Sequence, residues 1–326
     1  MKNALETALA YWKSAALFAA LRINLFEKLG QKYSSPEEIS AMTQTSPDMI
    51  IRLLRALTAL GMLEQEGNNY RCTETAINSL VPGREGSVSN FCRVMSEDFR
   101  NGLWLRLPDT MNRGLEIPPV ISDTPAALFT KAMNDLAHQG EAQAFKEALY
   151  LPEEGILLDL GCGSGAYAIA VCKKFPKWKG IVVDRPEALA VTRQIVDEFE
   201  LDERIELKSG DFFNMDFKAE FDLVILSDVL YMEDDKNRRI ISIAFNAVKR
   251  GGLTAIRGYF INEENPDQFP ALFDLNMMIH DPKHRTPLLS ELSRWLEEQG
   301  FIDLNMKRLT EMSWIVTASK PTETEK

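Results

Sequence analysis

The chain is poor in the residues that staple or anchor proteins. Only four of its 326 residues are cysteine (Cys72, Cys92, Cys162, Cys172), and no two form a C-x-x-C pair. That excludes a disulfide framework and a zinc knuckle, and it fits a reducing cytosol. Histidine is scarcer still, with His138, His280 and His284 alone. No apolar run approaches the ~20 residues of a membrane helix. Glu6, Lys13 and Arg22 break up the first segment before a signal-peptide core can form. Basic residues are outnumbered, 37 against 48 acidic, for a net charge of −11, and a nucleic-acid binder usually carries a basic face. These absences predict a soluble cytoplasmic protein with neither a membrane nor a nucleic-acid partner.

The length predicts two domains or one large one. Glycine is missing from Met1 to Leu29, and Leu5, Ala8, Leu9, Trp12, Ala16 and Leu17 recur at helical spacing. Leu25 and Phe26 continue the stripe, and Gly30 stands where a C-cap would end it. Ser35-Pro36-Glu37-Glu38 combines an N-cap, a first-turn proline and two acids. Ser46-Pro47-Asp48 repeats the signal before a helix over 49–60, and Gly67-Asn68 marks a hairpin turn. Three helices and a hairpin make a winged helix. Lys32, Arg52, Arg55 and Arg71 are outweighed there by Glu37, Glu38, Asp48, Glu64, Glu66 and Glu74. A net-negative reader would repel phosphates, so the module is expected to serve packing or dimerisation.

Pro82-Gly83 and Pro118-Pro119 mark turns between helical pieces around 91–104 and 126–149. From Gly155 onward, short apolar runs at 156–160, 180–184, 205–208, 223–227 and 253–257 alternate with amphipathic stretches. This predicts an α/β domain with a mainly parallel sheet, finished by a strand pair at 302–308 and 313–318. The expected division is a winged-helix dimerisation domain over 1–100 and a second domain over 101–326, with a helical linker at 101–150.

The run Asp159-Leu160-Gly161-Cys162-Gly163-Ser164-Gly165 leaves a buried strand and enters a helix. Glycines let a ligand approach the backbone, and the helix N-terminus offers free N–H groups. Asp184, about 20 residues on, is placed to accept hydrogen bonds from a ribose diol. Gly161-x-Gly163-x-x-Ala166 also fits the dinucleotide fingerprint. An acid at Asp159 would repel a pyrophosphate and favour a cationic sulfonium, so S-adenosylmethionine is preferred over a nicotinamide dinucleotide.

The runs 158–165, Val182-Val183-Asp184-Arg185-Pro186, Gly210-Asp211-Phe212-Phe213, 222–231 and Lys249-Arg250-Gly251-Gly252 resemble the S-adenosylmethionine-dependent small-molecule O-methyltransferases of the caffeic-acid and hydroxyindole type. The likeness spans nearly the whole chain, winged helix included. It implies a Rossmann-like methyltransferase domain behind a mainly helical dimerisation domain, and a homodimer acting on a small molecule. By position it implies that Gly161 and Gly163 approach the methionine portion and Asp184 holds the ribose. Asp211 would bind the adenine amine, Phe212 would lie against the ring, and Ser227 and Asp228 would line the other side. Phe212 as plain core and Asp211 as a turn acid stay open.

The chain departs from that pattern where the chemistry happens. The O-methylating members carry a histidine general base at the position of Tyr231, and their two glutamates fall near Gly258 and His284. A phenol has a pKa of ~10 and needs a base to attack a methyl sulfonium near neutrality, and neutral tyrosine is a poor one. Tyr231, as donor or orienter, and His284, as the leftover base, are the candidate catalytic residues. Tyrosine at this position is similar to the bacteriochlorophyllide C-20 methyltransferase branch, which makes carbon a second candidate acceptor beside oxygen. His280 and His284 are separated by Asp281-Pro282, which spoils a helical metal pair, and no metal is expected. Phe129, Met133, Met232 and Met277 are candidate substrate-lining residues, with Phe91, Met95, Trp104, Phe273 and Met278 further possibilities. Hydroxylation or decarboxylation with the same cofactor, and a winged-helix ligand sensor, are the competing functions.

Overall fold

The computed structural model describes residues 2–112, 117–120 and 124–323. Two compact units divide the chain, Met1–Asn101 and Gly102–Lys326. The first contains α1 (Lys2–Arg22), α2 (Leu25–Leu29), α3 (Pro36–Thr43), α4 (Pro47–Ala59), the hairpin β1 (Leu63–Glu66) and β2 (Asn69–Cys72), α5 (Glu74–Leu80) and α6 (Ser89–Arg100). The capping box at α3 is complete: the Ser35 hydroxyl accepts from the Glu38 amide, and the Glu38 carboxylate accepts from the Ser35 amide. Ser46, by contrast, makes no side-chain cap. The core gathers Leu21, Leu25, Phe26, Ile39, Leu54, Leu57, Leu63 and Tyr70.

Two expectations for this unit need correction. The first helix does not run to Gly30, because Asn24 takes a left-handed conformation (φ 53°) and starts a new helix at Leu25. The apolar stripe itself is left partly uncovered, for Leu5 and Trp12 are exposed, as is Tyr11 beside them. Periodicity reports that a helix has an apolar face but not what covers it.

The second unit has α7 (Leu107–Thr110), α8 (Ala126–Leu136), α9 (Ala142–Ala148), β3 (Glu154–Leu160), α10 (Ala166–Lys174), β4 (Lys177–Asp184), α11 (Pro186–Glu198), β5 (Ile205–Ser209) and β6 (Phe221–Ser227). There follow α12 (Asp234–Ala247), β7 (Val248–Gly258), α13 (Gln268–His280), α14 (Leu289–Gln299), β8 (Ile302–Arg308) and β9 (Trp314–Ser319). The seven strands run β5-β4-β3-β6-β7-β9-β8. Neighbours from β5 to β7 are parallel, and β9 is antiparallel to both its neighbours. Adjacent strand residues feed opposite cores: Leu157, Val182, Leu223, Ala255 and Ile315 on one face, Leu158, Val183, Val224, Ile256 and Val316 on the other. The expected 126–149 helix is broken at Gly140 (φ 97°), inside a π-type turn over Ala137–Glu141.

Strand order reverses at β3, with β4 on one side and β6 on the other. Such a switch point opens a crevice outside the carboxyl ends of the strands, where α/β proteins bind ligands. Among the described residues no helix is long and apolar enough to cross a membrane. Replacing Ser35 with alanine should remove one orphan-donor cap and lower the stability of the first unit by about 1 kcal/mol. Denaturant unfolding followed by circular dichroism checks this.

Candidate active site

The turn after β3 is built by close approach. Gly161 has φ 71°, and a Cβ there would stand 2.6 Å from Val229 Cγ1 and 3.6 Å from Phe212 Cε1. The turn is tied down from two sides. The amides of Gly161 and Cys162 donate to the Val183 carbonyl at 2.9 and 3.2 Å. Asp184, at the end of β4, accepts the Gly163 amide at 2.7 Å on one oxygen and the Arg185 amide at 2.7 Å on the other. Each carboxylate oxygen keeps a further lone pair. Under the turn lies Thr192 of α11, fully buried, its hydroxyl 2.6 Å from the Gly163 carbonyl and 3.0 Å from that of Ala188. Sequence reasoning missed Thr192, and nothing in the α11 pattern distinguishes it from an ordinary helix threonine.

Asp159 requires a correction of role. It is fully buried and neither carboxyl oxygen has a hydrogen-bond partner among the described residues. Burial, then the Asp184 charge, push its pKa up to about 8, with the Ala168 amide pulling the other way. At neutral pH the group is therefore mostly protonated and supplies little of the attraction for a cation that the sequence assigned to it. The negative charge bordering the turn is that of Asp184.

Past β5, Asp211 is exposed and caps its own turn, accepting from the Phe213 amide and the Asn214 side-chain amide, both at 2.9 Å. Phe212 is half-buried, 4.9 Å from the Phe213 ring. At the end of β6 Ser227 is buried and its hydroxyl has no partner among the described residues. The next residue, Asp228, has φ 55°, an uncommon conformation for a non-glycine residue.

Asp228 is the outer end of a buried ionic network. One carboxylate oxygen accepts the Tyr231 hydroxyl at 2.7 Å, and the other accepts from Arg257. The Tyr231 oxygen in turn accepts the Tyr259 amide at 2.7 Å. Arg257 also donates twice to Glu141, at 2.7 and 3.1 Å, and Glu141 accepts from Thr310 at 2.6 Å and Ser313 at 2.5 Å. The guanidinium lies 4.3 Å from the Tyr259 ring centre. Burial, then the neighbouring Asp228, hold the Tyr231 phenol well above its ordinary pKa. Burial opposes the Arg257 charge, but Asp228, Tyr167, Tyr259 and Glu141 outweigh it. A charge in the otherwise apolar run Leu253-Thr254-Ala255-Ile256 was the available signal for this network, since a buried charge must be paired.

The other sequence candidates separate. His284 Nε2 stands 3.7 Å from Asp281, a third exposed, and the hydrogen bond from this segment to the Tyr231 carbonyl comes from the Arg285 amide, at 3.3 Å. Met232 is half-buried, its backbone clamped on both sides by the Asn237 side chain. Met277 on α13 and Met133 on α8 are half-buried, whereas Phe129 on α8 is exposed. Trp104 is exposed, and Phe91 and Met95 belong to the first unit. What does assemble beside Tyr231 is an aromatic wall. Phe273 packs edge-on against Tyr231 at 5.0 Å and Tyr259 at 4.9 Å, and Phe269 meets Tyr259 at 4.9 Å.

The raised pKa of Asp159 has a measurable consequence. The unfolded carboxyl ionises near its ordinary value of ~3.9, whereas the folded one holds its proton to about 8. Between those values the native state binds more protons, so this group lowers stability as pH rises. Asp159→Asn should flatten the fall in Tm from pH 5 to pH 8, and thermal melts of both proteins measure it.

Residues 117–302 match the O-methyltransferase domain, and residues 5–81 match the O-methyltransferase dimerisation domain. The chain is 26% identical over 320 residues to 3-hydroxy-5-methyl-1-naphthoate 3-O-methyltransferase of Streptomyces sahachiroi, covering 93% of this chain and 90% of that protein. It is 23% identical over 296 residues to phenazine-1-carboxylate N-methyltransferase of Pseudomonas aeruginosa, covering 87% of each. The crystal structure of human N-acetylserotonin methyltransferase in complex with S-adenosylmethionine superposes with a TM-score of 0.85 at 22% identity, covering 98% of this chain and 97% of that one. With the glycine turn, Asp184 and the reversal of strand order in place, the chain belongs to the O-methyltransferase family and is an S-adenosylmethionine-dependent methyltransferase.

Proposed function

We propose that this enzyme methylates an oxygen or carbon of a hydrophobic aromatic or macrocyclic small molecule, and that it works as a cytoplasmic homodimer. The wall of Tyr231, Tyr259, Phe269 and Phe273 beside the end of β6 carries the reading of the acceptor. Ring faces and edges favour a flat apolar partner over a polar one. The naphthoate relative supports an aromatic acceptor, and the phenazine relative shows that the acceptor atom varies among similar chains. Exposed Leu5, Tyr11 and Trp12 on α1, within the dimerisation-domain match, support a second copy as the cover for that face.

The chain's own residues fit the cofactor. Bound S-adenosylmethionine supplies a methyl group on a positively charged sulfur. Gly161 and Gly163 leave the turn without side chains where the methionine portion approaches. Asp184 would accept from the ribose hydroxyls with its spare lone pairs, Asp211 would accept from the adenine amine, and Phe212 would lie against the base. The Ser227 hydroxyl, without a partner among the described residues, would complete the polar lining. Tyr231 takes no proton, since its oxygen already donates to Asp228 and accepts from Tyr259. Its work is to shape the acceptor wall and orient the network beneath it. Acceleration then comes from holding acceptor and methyl carbon in line.

Incubation with S-adenosylmethionine and a panel of naphthols, hydroxynaphthoates and tetrapyrroles should release S-adenosylhomocysteine with at least one member, alongside a methylated product by mass spectrometry. No release with any of them sinks the acceptor assignment. Asp184→Ala should weaken S-adenosylmethionine binding by roughly ten- to a hundredfold, the worth of hydrogen bonds to a charged group. Tyr231→Phe should leave that affinity intact and lower kcat by about tenfold. Calorimetry and steady-state kinetics separate the two.

A further inference from the structure

We infer that Asp228 is the proton acceptor of this site: its carboxylate accepts the hydrogen bond, and then the proton, of the acceptor's attacking hydroxyl, with Tyr231 and Arg257 as its positioning residues. The assignment rests on the proposed acceptor site, and its oxygen branch in particular.

Four observations converge on that carboxylate. Its partners are sealed in, Arg257 with 1% of its side chain exposed and Tyr231 buried, while the Asp228 side chain is 31% exposed. It is thus the point at which a buried ionic network opens outward. Among the described residues each of its oxygens has one side-chain partner, Tyr231 on one and Arg257 on the other, and a carboxylate has about four acceptor sites. It sits between Ser227, buried with a hydroxyl that has no partner among the described residues, and Val229, whose side chain touches the glycine turn. That puts it at the carboxyl edge of the sheet where the two substrates must meet. Finally, its backbone holds a left-handed φ, fixed by its amide donating to the Arg257 carbonyl at 3.0 Å. Uncommon conformations of this kind persist where the surroundings over-determine them and gather at functional sites.

The Tyr231 phenol is excluded by its own bonds, its oxygen being both donor and acceptor already. A carboxylate is a weak base toward a resting phenol, but the attacking oxygen turns strongly acidic as it bonds to the methyl carbon. A proton acceptor of ordinary basicity therefore suffices if it is already hydrogen-bonded. In the step, a lone pair of the hydroxyl oxygen forms the bond to the methyl carbon, and the carbon–sulfur bond cleaves with both electrons left on sulfur. The O–H electrons stay on oxygen, the proton passes to Asp228, and water later removes it.

The test uses 4-nitro-1-naphthol, whose phenol and phenolate absorb at different wavelengths, bound to full-length protein saturated with S-adenosylhomocysteine. A carboxylate facing the hydroxyl disfavours the phenolate. The native protein should therefore hold the probe neutral to higher pH than free solution does, and Asp228→Asn should raise its ionisation constant on the order of tenfold. Tyr231→Phe, which keeps the carboxylate, should retain the native midpoint. Equal midpoints in native protein and Asp228→Asn, or a native midpoint equal to that of the free probe, overturn the assignment. So does a Tyr231→Phe midpoint displaced as far as that of Asp228→Asn, which would place the role on the phenol. Calorimetry with S-adenosylhomocysteine should give native-like affinity in Tyr231→Phe, and each titration is run at saturation for the variant used. A native protein that binds none would instead defeat the cofactor assignment itself.

Discussion

A single guanidinium buried in the second unit ties together the parts of the site that matter most. Arg257 stands on β7 with almost no exposure and is shared between Glu141 and Asp228. Removing such a charge from water costs about several kcal/mol even after relaxation, so it persists only with strong partners on every side. Glu141 takes two of its donors and is itself held by Thr310 and Ser313. The Tyr259 ring covers the cation. One interaction thereby joins the bend before α9, the β8–β9 connection and the ends of β6 and β7. It leaves a carboxylate at the edge where β6 meets the glycine turn.

Tyr231 and Gly258 make sense as a pair. A Cβ at position 258 would lie 2.9 Å from the Tyr231 hydroxyl and 2.6 Å from Phe260. The phenol extends into space that a side chain at 258 would need, so a tyrosine at 231 and a glutamate at 258 compete for one volume.

Much of the site was legible in one dimension because its physics is local. A strand, a glycine turn and a helix are contiguous, so 158–165 announced the cradle, and Asp184 followed at the spacing that one βα unit imposes. The capping box at α3 and the hairpin turn were readable for the same reason. Asp159 was legible as an acid but not as a neutral one, because its protonation depends on being fully covered and on Asp184 lying near. The stripe on α1 was legible as apolar, while its exposure within the chain was not. Arg257 announced only that it needed a partner, and Glu141 lies over a hundred residues away.

The amino-acid order alone determined the α/β class, the helical module in front of it, the glycine turn and the identity of the residue at position 231. These follow from periodicity, backbone conformational limits and side-chain identity, all of which act between near neighbours. Only the folded chain decided which way Tyr231 directs its proton and that Asp228 opens outward while Arg257 is sealed. Those outcomes depend on burial and on contacts between segments far apart in sequence, where the same side chain is a base, a donor or a bystander according to what three-dimensional packing sets beside it.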